Sequence, residues 1–160
     1  MSIYRKIFIS LLVALLVTLC VIPFNEEEYV VVPVRQLELK EYSVTALVEH
    51  FAEEYKTDPA VMLKIGQCES GFDENAWNKS DPNGGSHGYM QFQTSTFYSY
   101  AKKLNIENPD IKDKVQQAQV SAYMFSIGEG KQWTTYMAYK NGGTYTFTDR
   151  KGKTHTVHCK

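Results

Sequence analysis

The spacing of hydrophobic positions changes along the chain: an unbroken apolar run comes first, then an extended apolar patch, then helical spacing, and finally an alternating segment. The unbroken run extends from Ile7 to Phe24 without a charged residue. As a helix rising about 1.5 Å per residue it would span roughly 27 Å, close to the thickness of the hydrocarbon core of a bilayer. Residues 1–24 are therefore predicted to form a transmembrane helix.

The flanks of this run favour an uncleaved signal anchor over a cleaved signal peptide. A cleaved signal has a shorter apolar region, of about 7 to 15 residues, and a small-residue cleavage site, whereas this run ends in VIPFN. Arg5 and Lys6 precede the run and three glutamates follow it, which places the N-terminus in the cytoplasm. We expect a membrane-anchored protein whose domain is extracytoplasmic, facing the periplasm or the cell wall. If the segment is cleaved, the protein is secreted.

Residues 25–42 are predicted to be a linker that leads into a single domain at residues 43–160. The linker contains the apolar patch YVVVPVRQLEL. Pro33 within this patch argues against a helix and favours an edge strand or a tether.

Helical spacing begins at the start of the domain. Ser43 is a candidate N-cap for a helix that runs to about Tyr55. Asp58 as N-cap and Pro59 at the first helical position begin a second helix, which Gly71 ends. Further helices are predicted from a Ser/Thr cap near residue 95, from residue 113 to residue 128, and in the segment that closes at residues 141 and 142.

On the second helix, one carboxylate continues the apolar stripe. Met62, Ile65 and Glu69 stand at positions i, i+3 and i+7, which puts Glu69 on the core-facing side of the last turn. Partial burial and the negative end of the helix dipole both raise a carboxyl pKa, so that the group holds a proton near neutral pH and can donate it. The alternative is an exposed glutamate at a fraying end, or one paired with Lys64 or Lys102.

Alternating Tyr145 and Phe147, a turn at DRKGK and renewed alternation through Val157 predict a small C-terminal β-hairpin at residues 144–158. The hairpin could extend a groove, pair with the patch before the domain, or serve as a docking edge. His155 and His158 have no Cys or carboxylate partners at ligand spacing, so we interpret them as surface residues and expect no metal and no cofactor.

Composition limits the classes of function. The chain of 160 residues leaves, after its apolar segment, room for one domain of roughly 110 to 130 residues. The net charge of -1 and the 22% of charged residues give no basic patch of the kind that binds nucleic acid.

Three short motifs lie in the domain: ESGF at residues 69–72 after a helix, GYMQF at residues 88–92, and AYKNG at residues 138–142. In order and spacing they resemble the motifs of the lytic transglycosylases of the lysozyme-like superfamily. The resemblance covers roughly residues 44–142. It implies a mainly α, lysozyme-like α+β domain with a groove for the glycan strands of peptidoglycan.

The resemblance implies that Glu69 is the catalytic acid and then the base. It implies substrate contacts for the residues that match the three motifs, namely Ser70, Gly88, Tyr89, Met90, Gln91, Tyr139 and Asn141. Gln91 would offer an amide to a sugar, while Tyr139 and Asn141 would close the site. The alternative for Tyr89, Met90 and Tyr139 is packing in the core, and for Asn141 a helix C-cap.

Some positions depart from the family pattern. Lys140 stands between Tyr139 and Asn141, where the family has Asn directly after Tyr, which leaves open whether Lys140 or Asn141 faces the site. Some relatives with a Cys before the catalytic Glu have a second Cys where this chain has Thr135. Here Cys68 either pairs with Cys159 or stays a buried thiol.

The number of carboxylates bears on the reaction. Glycoside hydrolysis generally uses two carboxylates, whereas a lytic transglycosylase cleaves the MurNAc-GlcNAc β-1,4 bond with one, because the muramic 6-hydroxyl attacks and forms a 1,6-anhydro product. Asp73, Glu74 and Asp81 are candidates for a second carboxylate, although their turn-rich loop favours a role in solubility. We expect a transglycosylase, with a peptidoglycan hydrolase (lysozyme, muramidase) as the alternative.

Two noncatalytic alternatives remain. One is a module that binds the cell wall through the same groove, although such a module would have no need for a partly buried acid at Glu69. The other is a structural, membrane-anchored component of an apparatus for secretion, conjugation or phage entry, with partners in the cell envelope.

Overall fold

The computed structural model describes residues 38–81, 84–149 and 151–160 of the chain. The predicted transmembrane helix at residues 1–24, and the predicted linker as far as residue 37, lie outside the described residues. Within the described part of the chain, no helix is both long enough and apolar enough to cross a membrane. Leu39 is buried in the core, just before the turn that leads into the first helix of the domain.

Helices form where the apolar positions have helical spacing, which confirms the prediction of a mainly helical domain. The described residues contain five α-helices: α1 Val44–Glu54, α2 Pro59–Ser70, α3 Thr94–Lys103, α4 Lys114–Ser126 and α5 Thr134–Lys140. A short 3-10 helix, Glu129–Gln132, lies between α4 and α5.

Side-chain caps begin most of these helices. Ser43 caps α1, Asp58 caps α2 and Asp113 caps α4, each by accepting hydrogen bonds from backbone amides of the first turn. These bonds satisfy amides that have no partner within the helix. Helix α3 differs, because Gln93 precedes it and supplies no side-chain cap. The Ser/Thr cap predicted near Ser95 is therefore wrong.

Two small antiparallel sheets complete the described part of the fold. The first sheet has the order β1-β2-β3 and consists of three two-residue strands that the sequence did not predict: Trp77–Asn78, Ser86–His87 and Phe92–Gln93. The second sheet is the predicted C-terminal hairpin, formed by β4 Thr144–Thr148 and β5 Thr154–His158. Its register pairs Tyr145 with Val157 and Phe147 with His155.

The core lies around α4, against which α1, α2 and α3 pack. Most of the α4 side chains are buried, including the polar side chain of Gln117, which has no exposed surface. Gln117 Nε2 donates a hydrogen bond of 2.6 Å to the carbonyl of Ile111. A buried amide is tolerated only with such partners, so the position of Gln117 is fixed.

A disulfide joins Cys68, in the last turn of α2, to Cys159, directly after β5. This pairing is one of the two alternatives that the sequence left open. The two cysteines are 91 positions apart in the chain, so the bond closes a loop that contains most of the domain. The C-terminal hairpin is consequently attached to the end of α2.

The backbone at Gly88 passes very close to the buried amide of Gln117. A Cβ added at Gly88 would stand 1.8 Å from Gln117 Nε2, and the φ angle of +68° lies in the left-handed region. Gly128 offers a comparison, because its φ angle is +78° and a Cβ added there would meet nothing within 4 Å.

We predict that Gly88→Ala lowers the free energy of unfolding by about 2–4 kcal/mol, because the left-handed backbone and the clash with Gln117 both act. Gly128→Ala is the matched control and should lose only about 1 kcal/mol, from the backbone conformation alone. Urea denaturation of the two variants measures the difference. Equal losses would contradict the close packing between Gly88 and Gln117.

Candidate active site

Glu69 lies in the last turn of α2, where the helix meets the loop that follows. Gly71, with a φ angle of +67°, ends the helix in the left-handed conformation, as predicted. Burial raises the pKa of Glu69 from 4.5 to about 7, which outweighs a hydrogen bond from Thr135 that lowers it. The negative charge of Asp81 raises the pKa further. The carboxyl group is therefore about half protonated near neutral pH.

Thr135 holds this carboxyl group in place. The threonine is buried in the first turn of α5, and its Oγ1 donates a hydrogen bond to Glu69 Oε1. The two residues are 66 positions apart in the chain. In the sequence, Thr135 is notable only as the position where some relatives have a cysteine. No local pattern identifies the threonine as a partner of the acid, because the two residues are far apart in the chain.

Glu69 lines a pocket of about 430 Å³. Its walls come from the end of α2, the region of β3 and α3, helix α4, the 3-10 helix, the start of α5 and the C-terminal hairpin. The lining residues are Glu69, Asp81, Gln91, Phe92, Gln93, Thr96, Met124, Gln132, Trp133, Thr134, Phe147, Asp149 and His155. The site thus combines one desolvated acid with a mixed polar and aromatic surface, which is typical of ligand pockets.

The segment at residues 88–91 reaches this pocket through Gln91, and hydrogen bonds from Ser70 and Trp133 fix its backbone. Ser70 Oγ donates a hydrogen bond of 3.0 Å to the carbonyl of Tyr89, and Trp133 Nε1 donates one of 2.7 Å to the carbonyl of Met90. The side chains of Tyr89 and Met90 have no exposed surface. Gln91 is the residue of this segment that lines the pocket.

The other predicted site residues lie away from the pocket lining. Tyr139 is 39% exposed near the end of α5, and Asn141 is the exposed C-cap residue of that helix. Lys140 is also exposed. Among the described residues that line the pocket, neither Lys140 nor Asn141 is present. Of the predicted substrate-binding residues, the structure thus brings Gln91 into the pocket with Glu69.

A second carboxylate, Asp81, faces the same pocket. The hydroxyl of the buried Ser86 donates a hydrogen bond to Asp81 Oδ2. The other two candidates from the sequence differ, because Asp73 and Glu74 are exposed and Glu74 forms a salt bridge of 3.4 Å with Lys114. The turn-rich sequence around Asp81 does not indicate that this carboxylate lines the same pocket as the acid, because that placement depends on tertiary packing.

The C-terminal hairpin supplies the remaining wall through Phe147, Asp149 and His155. His155 is interpreted from the sequence as a surface residue, and its side chain is 37% exposed, but it also lines the pocket. Of the three roles considered for the hairpin, lining a groove is the one that this arrangement supports.

Comparison with protein families gives one match, to a model described as the transglycosylase SLT domain, over residues 46–157. This range includes the three motifs, Glu69 and nearly all of the hairpin. Comparisons with curated proteins and with solved structures gave no match.

Glu69→Gln is predicted to change how stability depends on pH. In the folded state the pKa of Glu69 is about 7, whereas the ordinary pKa of the group, which applies to the unfolded chain, is 4.5. The free energy of unfolding should therefore fall as pH rises between these values. The shift corresponds to about 3 kcal/mol. The glutamine cannot ionise. The free energy of unfolding of the variant should therefore exceed that of the native protein by up to about 3 kcal/mol at pH 8 and by little at pH 4.

Urea denaturation of both proteins at pH 4 and pH 8 measures this difference, and the comparison cancels contributions from other titrating groups. A constant difference between the two proteins across this range would contradict the desolvation of Glu69.

Proposed function

Because the chain belongs to the transglycosylase SLT family, we propose that it is a peptidoglycan lytic transglycosylase in which Glu69 is the single acid and base. The observation that carries this proposal is a carboxyl group whose pKa is raised to about 7 and that lines an open pocket. A general acid works best when its pKa lies near the working pH.

In the first step, protonated Glu69 donates its proton to the oxygen of the β-1,4 bond between MurNAc and GlcNAc. The bond from that oxygen to the anomeric carbon breaks, GlcNAc leaves with a free 4-hydroxyl, and Glu69 becomes a carboxylate. Thr135 donates to Oε1, which leaves Oε2 to carry the proton. The same hydrogen bond stabilises the carboxylate once the proton has left.

In the second step, the 6-hydroxyl of the muramic residue attacks the anomeric carbon, and Glu69 takes the hydroxyl proton. A bond forms between O6 and C1, which gives the 1,6-anhydro product and restores the protonated acid. No water is consumed. The nucleophile belongs to the substrate, so the reaction gains from proximity without a second protein nucleophile. Gln91 lines the same pocket, and its side-chain Nε2 donates a hydrogen bond of 2.9 Å to the carbonyl of Gly88. We expect its amide oxygen to accept a hydrogen bond from a hydroxyl or N-acetyl group of the sugar.

The disulfide supports the proposed location of the domain outside the cytoplasm. Disulfides such as Cys68–Cys159 persist in oxidising compartments and are rare in the cytosol. We infer that the predicted anchor at residues 1–24 attaches the domain to the membrane on the side where the glycan strands lie. Partners in the cell envelope would then reach the domain from the same side.

Digestion of purified peptidoglycan, with mass spectrometry of the soluble products, tests the proposal. We predict anhydro-muropeptides from the native protein and a loss of at least about 100-fold in rate for Glu69→Gln. Glu107→Gln, at an exposed position, is the control and should keep full activity. Unchanged products from Glu69→Gln would contradict the assignment of the acid. Binding without any soluble product from the native protein would favour a noncatalytic wall-binding module.

One observation favours a peptidoglycan hydrolase as a second candidate. Asp81 faces the same pocket as Glu69, and two carboxylates around one glycosidic bond are what most hydrolases use. In that mechanism Asp81 would activate a water molecule or stabilise the positive charge that develops at the anomeric carbon. The products would then have reducing ends rather than anhydro ends.

Asp81→Asn separates the two candidates. For a transglycosylase we predict that anhydro products persist and that the basic limb of the activity profile moves to lower pH. The shift follows because the Asp81 charge raises the pKa of Glu69, so its removal lets the acid lose its proton at lower pH. A native protein that yields reducing ends, and loses them in Asp81→Asn, would instead be a hydrolase.

A further inference from the structure

One face of the C-terminal hairpin carries a row of stacked rings. The Tyr145 and Phe147 ring centroids are 5.9 Å apart, and those of Phe147 and His155 are 5.3 Å apart, with interplanar angles of 20° and 17°. The opposite face is exposed and carries threonines, among them the cross-strand pair Thr146 and Thr156. The hairpin is thus aromatic on the side that meets the domain and polar on the side that meets solvent.

Asp149 lies at the hairpin turn and contacts His155, the last ring of this row. Its Oδ1 accepts hydrogen bonds of 2.9 Å from the backbone amides of Lys151 and Lys153, which closes the hairpin turn. A hydrogen bond of 2.8 Å joins its Oδ2 to His155 Nε2. The His155 bond and these backbone bonds lower the pKa of Asp149, so the group is a carboxylate. A carboxylate has about four acceptor positions, so at least one remains for a ligand.

The hairpin is attached to the turn that carries the acid. Cys159, directly after β5, forms the disulfide with Cys68, the residue before Glu69. The backbone amide of Cys159 also donates a hydrogen bond of 3.0 Å to the carbonyl of Gly143 at the start of the hairpin. These links attach the base of the hairpin to the end of α2, and Phe147, Asp149 and His155 extend from it to the pocket that Glu69 lines.

The acidic groups in the pocket favour a ligand without negative charge. Three carboxyl groups line it, those of Glu69, Asp81 and Asp149, and none of its described lining residues is a lysine or an arginine. An acidic group such as a peptide carboxylate would be repelled there. A neutral sugar has both an apolar surface for the aromatic side chains and hydroxyl and amide donors for the Asp149 carboxylate.

We propose that Phe147, Asp149 and His155 form a subsite for a neutral N-acetylated sugar of the glycan strand, a ring that carries no peptide. This inference rests on the proposed function, because it places the subsite beside the bond that Glu69 cleaves. It assigns substrate binding to the hairpin, outside the three motifs.

The test uses the full chain in detergent and tri-N-acetylchitotriose, a neutral sugar without peptide or carboxylate. All proteins in the test carry Glu69→Gln to exclude turnover. Isothermal titration calorimetry measures the dissociation constant. Phe147→Ala should weaken binding about 3- to 10-fold, the range expected for one aromatic contact. Thr146→Ala and Thr156→Ala, on the opposite face, are the matched controls and should bind as tightly as the parent.

Phe147→Leu distinguishes a lost ring contact from a fold defect, because it keeps an apolar side chain on the hairpin while removing the ring. It should also weaken binding, with an unchanged circular dichroism spectrum. Equal affinity of the parent, Phe147→Ala and Phe147→Leu would overturn the subsite. Absence of chitotriose binding to a protein that digests peptidoglycan would overturn the neutral-sugar assignment while leaving the proposed function intact. Binding that depends on Phe147, in a protein without lytic activity, would support the subsite and reject the function.

Discussion

The end of α2 is the constraint on which the site depends, because three consecutive residues there bind three distant parts of the chain. Cys68 is joined by the disulfide to the residue after the hairpin, Glu69 accepts a hydrogen bond from Thr135 in α5, and Ser70 donates one to the carbonyl of Tyr89. Together these contacts hold the carboxyl group of Glu69 where burial raises its pKa. The pocket forms around this turn, since the bound segments supply its walls.

The buried carboxyl group of Glu69 destabilises the folded protein, although its burial gives it the raised pKa that the proposed acid needs. A carboxyl group with a raised pKa lowers the stability of the folded protein once it ionises, and the surrounding contacts must compensate. The disulfide is well suited to this, because it restricts the unfolded chain over a long loop. The buried contact between Gly88 and Gln117 and the bond from Trp133 to Met90 hold the facing segment rigid. These contacts elsewhere in the domain therefore offset the loss of stability that the buried Glu69 carboxyl group causes.

The parts of the structure that local chemistry determines could be predicted from the sequence. The caps at Ser43 and Asp58, the end of α2 at Gly71 and the alternation in the hairpin each involve neighbours in the chain. Such short-range patterns also put Glu69 on the apolar stripe. The contact of Thr135 with Glu69 could not be predicted, because it joins residues 66 positions apart. The approach of Asp81 and of the hairpin to the pocket likewise depends on tertiary packing, which periodicity does not encode.

The central claim is that Glu69 is a desolvated acid that keeps its proton to near neutral pH. Direct titration by NMR of protein labelled with ¹³C at the glutamate side-chain carboxyl tests it, with Glu69→Gln to assign the resonance. The structure predicts a midpoint of about 7 for the Glu69 carboxyl. A midpoint close to 4.5, the ordinary value, would show that the carboxyl group is solvated and would contradict its role as the acid.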